Sequence, residues 1–361
     1  MPDRKRFAVS QRGAGRPLAV AKRFHRTVGV NLTMRCPLEC AHCSVDSGPW
    51  RKETVDGNLL ASRIEEMGRD GRIRLVMVSG GEPFSARDAL RKVLEAAEPW
   101  GISVFVLTSG IWAKGREAAD RTLDAFPSLR YVGFSLDEYH EPFVPMEDVK
   151  SGVLAALARG LLVDLTIRVW DPEGDPYLDR IAETFGDELL SRVGIDLERI
   201  VPVGRARGLP QAGVEELPGL PAGACDSAHQ PVIDTDGTVV GCCNVALARR
   251  TPPLVLGSLR DVGLPALTRA AESDVLRHAI RVFGPKYLAD LVVSRGEGGR
   301  LAARYPGDIC ALCHDVLRQP ELVAILNEEL SRPERRAEIA LGRLLRFGEE
   351  DPALVPAGAA S

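Results

Sequence analysis

The chain has 361 residues, of which 45% are hydrophobic, so it can build a sizeable core in one large domain or two. Its formal net charge of -4 argues against a nucleic-acid partner, and no apolar run approaches the roughly 20 residues of a membrane span. The chain does not open on a signal-peptide pattern, and its eight cysteines are clustered, as in metal or catalytic sites of a reducing compartment. We therefore expect a cytoplasmic protein.

The first 26 residues are rich in arginine and lysine and are interpreted as a solvated basic arm. After them, β-branched runs alternate with segments whose apolar residues recur at helical spacing. The runs predict six strands, over 27–32, 73–80, 102–110, 129–137, 162–170 and 198–204. Strands alternating with helices indicate a parallel sheet, and six units indicate a partial barrel. In such folds, functional groups gather at the carboxyl ends of the strands.

The composition changes after Gly208, where a stretch rich in proline and glycine, 209–225, is typical of a linker. The segment "QPVIDTDGTVVGCC" then predicts a β-hairpin with Asp236 and Gly237 in its turn. Helical patterns follow over 261–281, 311–331 and 333–346. We expect an α/β fold: a partial (β/α)6 parallel barrel over 27–208, a small α+β domain over 209–332, and a C-terminal helix with a disordered tail over 333–361.

Three cysteines lie within eight residues in the order C-x3-C-x2-C, at Cys36, Cys40 and Cys43. A closed zinc or iron–sulfur site normally takes four protein ligands. Three thiolates on one loop without a fourth nearby therefore indicate a metal centre with an open coordination position, where a substrate or cofactor can bind.

This cysteine pattern, placed after a first predicted strand, resembles the signature of the radical S-adenosylmethionine (SAM) enzymes. The resemblance implies a 4Fe-4S cluster on these three cysteines, with SAM bound to its open iron. "SGGEP" at 79–83 is similar to the family's GGE motif. The resemblance implies that this motif holds the methionine part of SAM. The contact would be made by the backbone at Gly80 and Gly81, where glycine allows close approach, or by the Glu82 carboxylate.

The resemblance extends along 28–208, with its motifs in the family's order. At the ends of the fourth and fifth strands it implies further contacts with SAM, made by Ser135, Asp137 and Arg168. Capping of a turn or a simple solvated charge would explain these three residues equally well.

The remaining cysteines lie in the C-terminal part of the chain. Cys225 and Cys242 form C-x11-G-x4-C, and Cys310 and Cys313 form C-x2-C. Four thiols together could hold structural zinc or an auxiliary iron–sulfur cluster. Their order resembles the SPASM/twitch subgroup of the radical SAM enzymes. Because no cysteine follows Cys313, the resemblance is to the shorter twitch form, which implies one auxiliary 4Fe-4S cluster on these four residues.

Cys243 is left over from this set. It could replace Cys242 as a ligand, be an inert thiol, or return a hydrogen atom to a substrate radical, as a free cysteine does in radical epimerases of this broad family. Doubled cysteines are common at this place in the subgroup, which favours the inert thiol.

The resemblance implies reductive cleavage of SAM to a 5′-deoxyadenosyl radical that takes a hydrogen atom from the substrate. An auxiliary cluster with four protein ligands would accept a second electron, giving a net two-electron oxidation. Only 35 residues precede Cys36, fewer than the leader-binding domain that peptide maturases often carry. We therefore expect a small polar natural-product substrate of sugar or aminocyclitol type, and a reductant such as flavodoxin or ferredoxin.

Two enzymatic alternatives stay open: epimerisation with Cys243 as hydrogen donor, and modification of a peptide. A more distant alternative is a non-enzymatic iron–sulfur or zinc protein that senses redox state. It accounts for the cysteines but not for "SGGEP" and the later motifs at strand ends.

Overall fold

The computed structural model describes residues 26–210, 219–225, 227–228, 230–302, 305 and 309–349. The predicted basic arm, apart from Arg26, lies outside these residues, as do 211–218 of the predicted linker and 350–361 of the predicted tail. Within the described ranges, no helix has the length and apolar character needed to cross a membrane.

Strands and helices alternate through the first half of the chain. They are β1 (Thr27–Thr33), α1 (Gly57–Asp70), β2 (Leu75–Gly80), α2 (Arg87–Ala97), β3 (Ser103–Thr108), α3 (Arg116–Asp124), β4 (Tyr131–Leu136), α4 (Met146–Ala158), β5 (Leu162–Val169), α5 (Tyr177–Leu190) and β6 (Gly194–Arg199). All six strands are parallel, and each pairs with the next along the chain. The predicted α/β partial barrel is thus confirmed.

The sheet continues beyond the barrel strands. β7 (Val232–Ile233) pairs in parallel with β1, and β8 (Thr238–Val240) returns antiparallel to β7, which confirms the predicted hairpin. β9 (Val255–Ser258) adds a last antiparallel strand. The sheet order is β6-β5-β4-β3-β2-β1-β7-β8-β9. The remaining helices are α6 (Val245–Ala248), α7 (Leu264–Glu272), α8 (Val275–Val282), α9 (Pro285–Ser294), α10 (Ile309–Leu317), α11 (Pro320–Ser331) and α12 (Pro333–Phe347).

The core has two main parts. One lies between the parallel sheet and helices α1–α5, and includes Val30, Leu60 and Phe134. The other joins the hairpin to the C-terminal helices, and includes Val240 and Leu326. A core that follows the C-terminal helices fits a separate small α+β unit, although its predicted boundary at 208/209 stays a prediction.

The inner face of the barrel sheet is partly polar. Leu75, Phe105 and Tyr131 form a small apolar cluster on this face. The Tyr131 hydroxyl donates a hydrogen bond to the buried carboxylate of Asp164 on β5. Side chains alternate along a strand, so Arg168, four residues further along β5, lies on the same face.

The sixth strand was predicted over 198–204, but β6 spans Gly194–Arg199. Pro202 interrupts the apolar run on which the prediction was based, and proline has no N–H to give to a strand ladder. The observed strand carries Asp196 and Glu198 on its inner face, beside Arg168. Because these side chains are polar, the strand lacks the continuous apolar run on which the strand predictions are based.

The predicted helix over 261–281 is two helices, α7 and α8. They separate because the Asp274 carboxylate accepts a hydrogen bond from the Leu276 N–H and so caps the second helix. The predicted helix over 311–331 likewise divides into α10 and α11, with Pro320 as the first residue of α11. Helix α9 was not predicted, whereas α12 agrees with the prediction for 333–346.

The larger core can be tested at Leu60, which is 0% exposed on α1. Replacing Leu60 by alanine should lower the free energy of unfolding by about 2–5 kcal/mol, because it removes buried methyl groups and leaves a cavity. Leu345→Ala on α12 is the matched control, since Leu345 is 76% exposed, and it should change stability by less than about 0.5 kcal/mol. Chemical denaturation measures both, and equal effects would contradict the assigned core.

Candidate functional site

Cys36, Cys40 and Cys43 lie on one loop, residues 34–56, between β1 and α1. The loop wraps tightly, since the Cys43 N–H donates to the Cys40 carbonyl at 3.1 Å and the Cys36 N–H to the Gly48 carbonyl at 3.2 Å. Burial raises the pKa of Cys36 to about 12, and the nearby Glu82 carboxylate and the other two thiols act in the same direction. The three thiols are therefore neighbours, and this donor set fits a metal centre held by three thiolates.

The end of β2 packs against the start of this cysteine loop through Gly80 and Gly81. A Cβ atom on Gly80 would lie 2.5 Å from the Thr33 carbonyl oxygen, and one on Gly81 would lie 2.2 Å from that of Arg35. The Gly81 N–H donates to Thr33 at 2.6 Å, and the Glu82 N–H donates to Arg35 at 2.9 Å. Only glycine allows this approach, so the pair is required to hold the loop against the sheet.

The carboxylate of Glu82 is 2% exposed and joins the ends of two strands. It accepts hydrogen bonds from the Thr108 hydroxyl at 2.7 Å, the Ser109 hydroxyl at 2.6 Å, the Ser109 N–H at 3.0 Å and the Phe84 N–H at 3.1 Å. Burial raises its pKa, while these hydrogen bonds oppose the rise. The structure thus gives Glu82 an internal role, and its predicted contact with SAM stays a prediction.

Asp137 follows β4 and is 0% exposed. One carboxylate oxygen accepts the backbone N–H groups of Tyr139 and His140, at 2.9 and 3.0 Å, and so fixes the turn. The other lies 2.6 Å from His140 Nδ1 and 3.2 Å from His42 Nε2. Burial opposes ionisation, but the two imidazoles hold the pKa of Asp137 below its usual range. A carboxylate so enclosed organises its neighbours, and its predicted contact with SAM stays a prediction.

His42 and His140 connect Asp137 to the cysteine loop. Although burial opposes it, the charge and hydrogen bond of Asp137, with a hydrogen bond to Cys40, raise the pKa of His140 to about 10. His42 stacks on the Tyr139 ring, with 4.9 Å between centroids. The Tyr139 hydroxyl in turn accepts a hydrogen bond from the Trp170 indole N–H at 2.7 Å. An aromatic and imidazole layer therefore borders the cysteine loop beside the ends of β4 and β5.

Ser135 and Arg168 lie on adjacent strands of the inner face. Ser135 is half-buried and pairs in register with Thr166. Arg168 contacts the carboxylates of Asp196 at 3.0 Å and Glu198 at 3.1 Å. Arg168 is thus engaged with β6, and the predicted contacts of Ser135 and Arg168 with SAM stay predictions.

The C-terminal cysteines form a second group of thiols. Hydrogen bonding with Cys243 and burial raise the pKa of Cys242, and the nearby Cys313 and Cys225 thiols act in the same direction. Cys310 and Cys313 are three residues apart on α10 and share one helix face. The proximity of Cys225, Cys242 and Cys313 fits the predicted four-thiolate site.

Cys243 faces a different environment from Cys242. Its side chain is exposed, yet the surrounding protein partly desolvates the thiolate. The hydrogen bond with Cys242 lowers the pKa of Cys243 to about 6, against the effects of burial and of the Glu198 carboxylate. Since Glu198 lies on the inner face of the barrel sheet, the Cys243 thiol lies beside the barrel interior.

The two cysteine groups lie on segments that adjoin β1. Val232 of β7 is opposite Gly29, and Val240 of β8 is opposite Val232. Cys242 and Cys243 follow two and three residues later, whereas Cys36 lies three residues beyond the carboxyl end of β1.

Sequence reasoning did not assign His140 or Arg205 to the site. His140 lies three residues after Asp137, and an Asp-x-x-His turn after a strand was a local signal for their contact. Arg205 donates to the carbonyls of Cys40 and Ser47, 165 and 158 residues earlier. No local pattern could have indicated contacts at that separation.

Comparison with known proteins gives one family match, since residues 30–170 match the family model described as the Radical SAM superfamily. The chain is 23% identical over 311 residues to the putative peptide biosynthesis protein YydG of Bacillus subtilis (strain 168), covering 83% of this chain and 94% of that protein. It is 29% identical to a probable GTP 3′,8-cyclase of Methanopyrus kandleri, covering 53% of this chain and 61% of that protein.

Among solved structures, the chain resembles BtrN in complex with AdoMet and 2-DOIA, with a TM-score of 0.43 and 10% identity, over 73% of this chain and 90% of that one. It also resembles Streptococcus suis SuiB bound to the precursor peptide SuiA, with a TM-score of 0.43 and 12% identity, over 84% of this chain and 73% of that one.

The glycine contact under the cysteine loop can be tested by Gly81→Ala. The added Cβ has no room beside the Arg35 carbonyl, so the loop must move and iron retention at the front cysteines should fall severalfold after anaerobic reconstitution. Gly208→Ala is the matched control, because a Cβ there meets no atom within 4 Å, and it should retain iron as the wild type does. Iron and sulfide assays measure both, and full retention by Gly81→Ala would contradict the role given to this contact.

Proposed function

We propose that this chain, whose residues 30–170 match the Radical SAM superfamily, is a radical SAM enzyme that inverts a stereocentre in a peptide, with Cys243 as the hydrogen-atom donor. Cys36, Cys40 and Cys43 would hold a 4Fe-4S cluster, and Gly80 and Gly81 would lie against SAM. When bound, the cluster and SAM supply a 5′-deoxyadenosyl radical that can take a hydrogen atom from an unactivated C–H bond. The chain's own residues position the substrate and exclude water.

The observation that carries this proposal is the placement of Cys243 relative to the front cysteines. Inversion requires that a hydrogen atom leave one face of a carbon and that another arrive from the opposite face. The front cysteines follow the carboxyl end of β1, while Cys243 follows β8 of the hairpin that continues the sheet beyond β1, and its thiol lies near Glu198 on the inner face. We propose that a substrate held inside the barrel contacts both the radical source and this thiol, on opposite faces of the reacting carbon.

The thiol of Cys243 supports a return step that balances. When Cys242 is a thiolate ligand it no longer donates the hydrogen bond that lowers the pKa of Cys243, so Cys243 would carry a proton. Its S–H bond then breaks as a C–H bond forms on the substrate radical, which leaves a sulfur-centred radical on Cys243. One electron and one proton then restore the thiol. The electron comes from the reductant, such as flavodoxin or ferredoxin. We propose that the C-terminal cysteine group next to Cys243 transmits it to the sulfur radical.

A peptide substrate is supported by the likeness to the putative peptide biosynthesis protein, which extends over nearly that protein's whole length. This departs from the small polar substrate expected from the sequence.

Oxidation of a substrate by two electrons is the second candidate. It is favoured by the grouping of Cys242 with Cys225 and Cys313, which with Cys310 would complete an auxiliary 4Fe-4S cluster able to accept an electron. Both candidates use the same radical, and they differ in whether the substrate regains a hydrogen atom.

The auxiliary cluster can be tested with the triple variant Cys36→Ala, Cys40→Ala, Cys43→Ala. After anaerobic reconstitution we expect two clusters' worth of iron in the wild type and one in the variant, because the C-terminal thiols keep their own cluster. Metal and sulfide analysis measures this, with Cys313→Ala as the complementary variant that retains the front cluster. A triple variant that holds zinc and no iron would contradict the auxiliary cluster and with it the oxidation candidate.

Epimerisation can be tested in D2O with reduced enzyme, SAM and a library of short synthetic peptides. The Cys243 S–H exchanges with solvent, so an inverted product should gain one deuterium atom, detected by mass spectrometry and chiral amino-acid analysis. Cys243→Ala should still form 5′-deoxyadenosine but should lose the deuterated product, whereas Cys36→Ala should form neither.

The same assay separates the two candidates. A product that has lost two hydrogen atoms and gained no deuterium would contradict epimerisation and support oxidation. Inversion that persists in Cys243→Ala would contradict the role of this thiol.

A further inference from the structure

The first and last strands of the barrel lie far apart in the sheet. β1 and β6 are at opposite ends of the six parallel strands, and no backbone ladder joins them. The cysteine loop follows β1, and the segment after β6 turns back toward it as a short 3-10 helix, Gly204–Gly208. Contact between these two segments therefore closes the open side of the partial barrel at its carboxyl end.

Arg205 makes that contact through both its side chain and its backbone. Its Nε donates to the Cys40 carbonyl at 3.0 Å, and its Nη1 donates to the Ser47 carbonyl at 2.6 Å. The same Nη1 contacts the Asp46 carboxylate at 2.8 Å, and the Arg205 N–H donates to the Cys43 carbonyl at 3.0 Å. One residue thus fixes the segment of the loop that begins at the second cysteine and ends beyond the third.

Gly204 allows this approach. Its φ is 59°, and a Cβ atom there would lie 2.4 Å from the Cys43 carbonyl oxygen and 2.5 Å from that of Ser44. The backbone after β6 therefore touches the backbone of the cysteine loop directly. A side chain at position 204 would separate them.

The backbone conformation of Asp46 shows that surrounding contacts constrain the loop. Asp46 has a positive φ of 56°, which among the described residues is otherwise found at glycine. Such a conformation is unfavourable for a residue with a side chain and persists where surrounding contacts impose it. Arg205 holds the Asp46 carboxylate, and Arg51 donates to its carbonyl at 3.0 Å.

We propose that Arg205 is a positioning residue that closes the partial barrel and sets the shape of the cysteine loop before the cluster is loaded. A guanidinium suits this role, since it is planar, always charged and able to donate in several directions at once. It also lies over the Trp50 ring, 5.5 Å from the centroid, which fixes the orientation of its plane. A lysine ammonium has neither the fork nor the stacking face.

The test uses the full-length chain without metal, so that it does not depend on the reaction. Arg205→Ala and Arg205→Lys are compared with Arg207→Ala, an exposed arginine on the same short helix. Amide hydrogen exchange should be at least tenfold faster over residues 40–47 in both Arg205 variants and unchanged in the Arg207 control. The amides of β2, β3 and β4 should keep their protection in all three proteins, because the sheet does not depend on Arg205.

A second measurement follows loading of the front site by electron paramagnetic resonance after anaerobic reconstitution, with and without SAM. The Arg205 variants should load the front cluster severalfold less well and should lose the change in signal that SAM produces in the wild type. Asp46→Asn, which removes the ion pair but keeps the other donors, should have an intermediate effect. If Arg205→Ala exchanges, loads and responds to SAM as the wild type does, the proposal is overturned.

A global loss of protection in Arg205→Ala would also overturn it, because the residue would then support the whole fold. If the D2O assay fails while residues 40–47 still exchange faster, the proposed reaction is wrong and the role of Arg205 stands.

Discussion

The cysteine loop depends on backbone contacts so close that no Cβ atom fits between the segments that make them. Gly80 and Gly81 bring the end of β2 against Thr33 and Arg35 at the start of the loop. Gly204 brings the segment after β6 against Cys43 near its far end. Glycine is required at each point because the contact is backbone on backbone. The shape of the short cysteine loop is therefore a property of the whole barrel, imposed from two of its strands.

Buried carboxylates around this loop connect neighbouring strand ends and turns through hydrogen bonds. Glu82 accepts hydrogen bonds from the end of β3, and Asp137 accepts them from its own turn and from two imidazoles. An unpaired buried charge is costly, so the hydrogen bonds to each carboxylate fix both the carboxylate and its partners. The neighbouring strand ends are thus locked together, which provides the rigid support that a reactive intermediate needs.

Much of the architecture could be predicted from the sequence because its signals are local. The spacing of Cys36, Cys40 and Cys43, the glycine pair after β2, and the alternation of strands and helices each lie within a short window of residues. Glu82 could not be interpreted in this way, because its partners Thr108 and Ser109 are 26 and 27 residues away. The error at β6 has a related cause, since Asp196 and Glu198 are polar residues on an inner face, where apolar ones were expected. Local spacing therefore predicted the cysteines and the glycine motif, whereas the long-range contacts around them left no local pattern.

The pairing of β7 with β1 has a consequence for the order in which the protein is made. About 200 residues separate these neighbouring strands, so one edge of β1 stays unpaired for about 10–40 s of translation at ordinary ribosome speed. The contact between the cysteine loop and Arg205 is delayed by a similar time, because Arg205 is synthesised long after Cys43. Contacts of such long range fold slowly and leave an open strand edge exposed to association with other chains. The cysteine loop, although it lies near the beginning of the sequence, is therefore among the later parts of the molecule to be completed. A nascent chain is most vulnerable to aggregation before the β7–β8 hairpin has been synthesised.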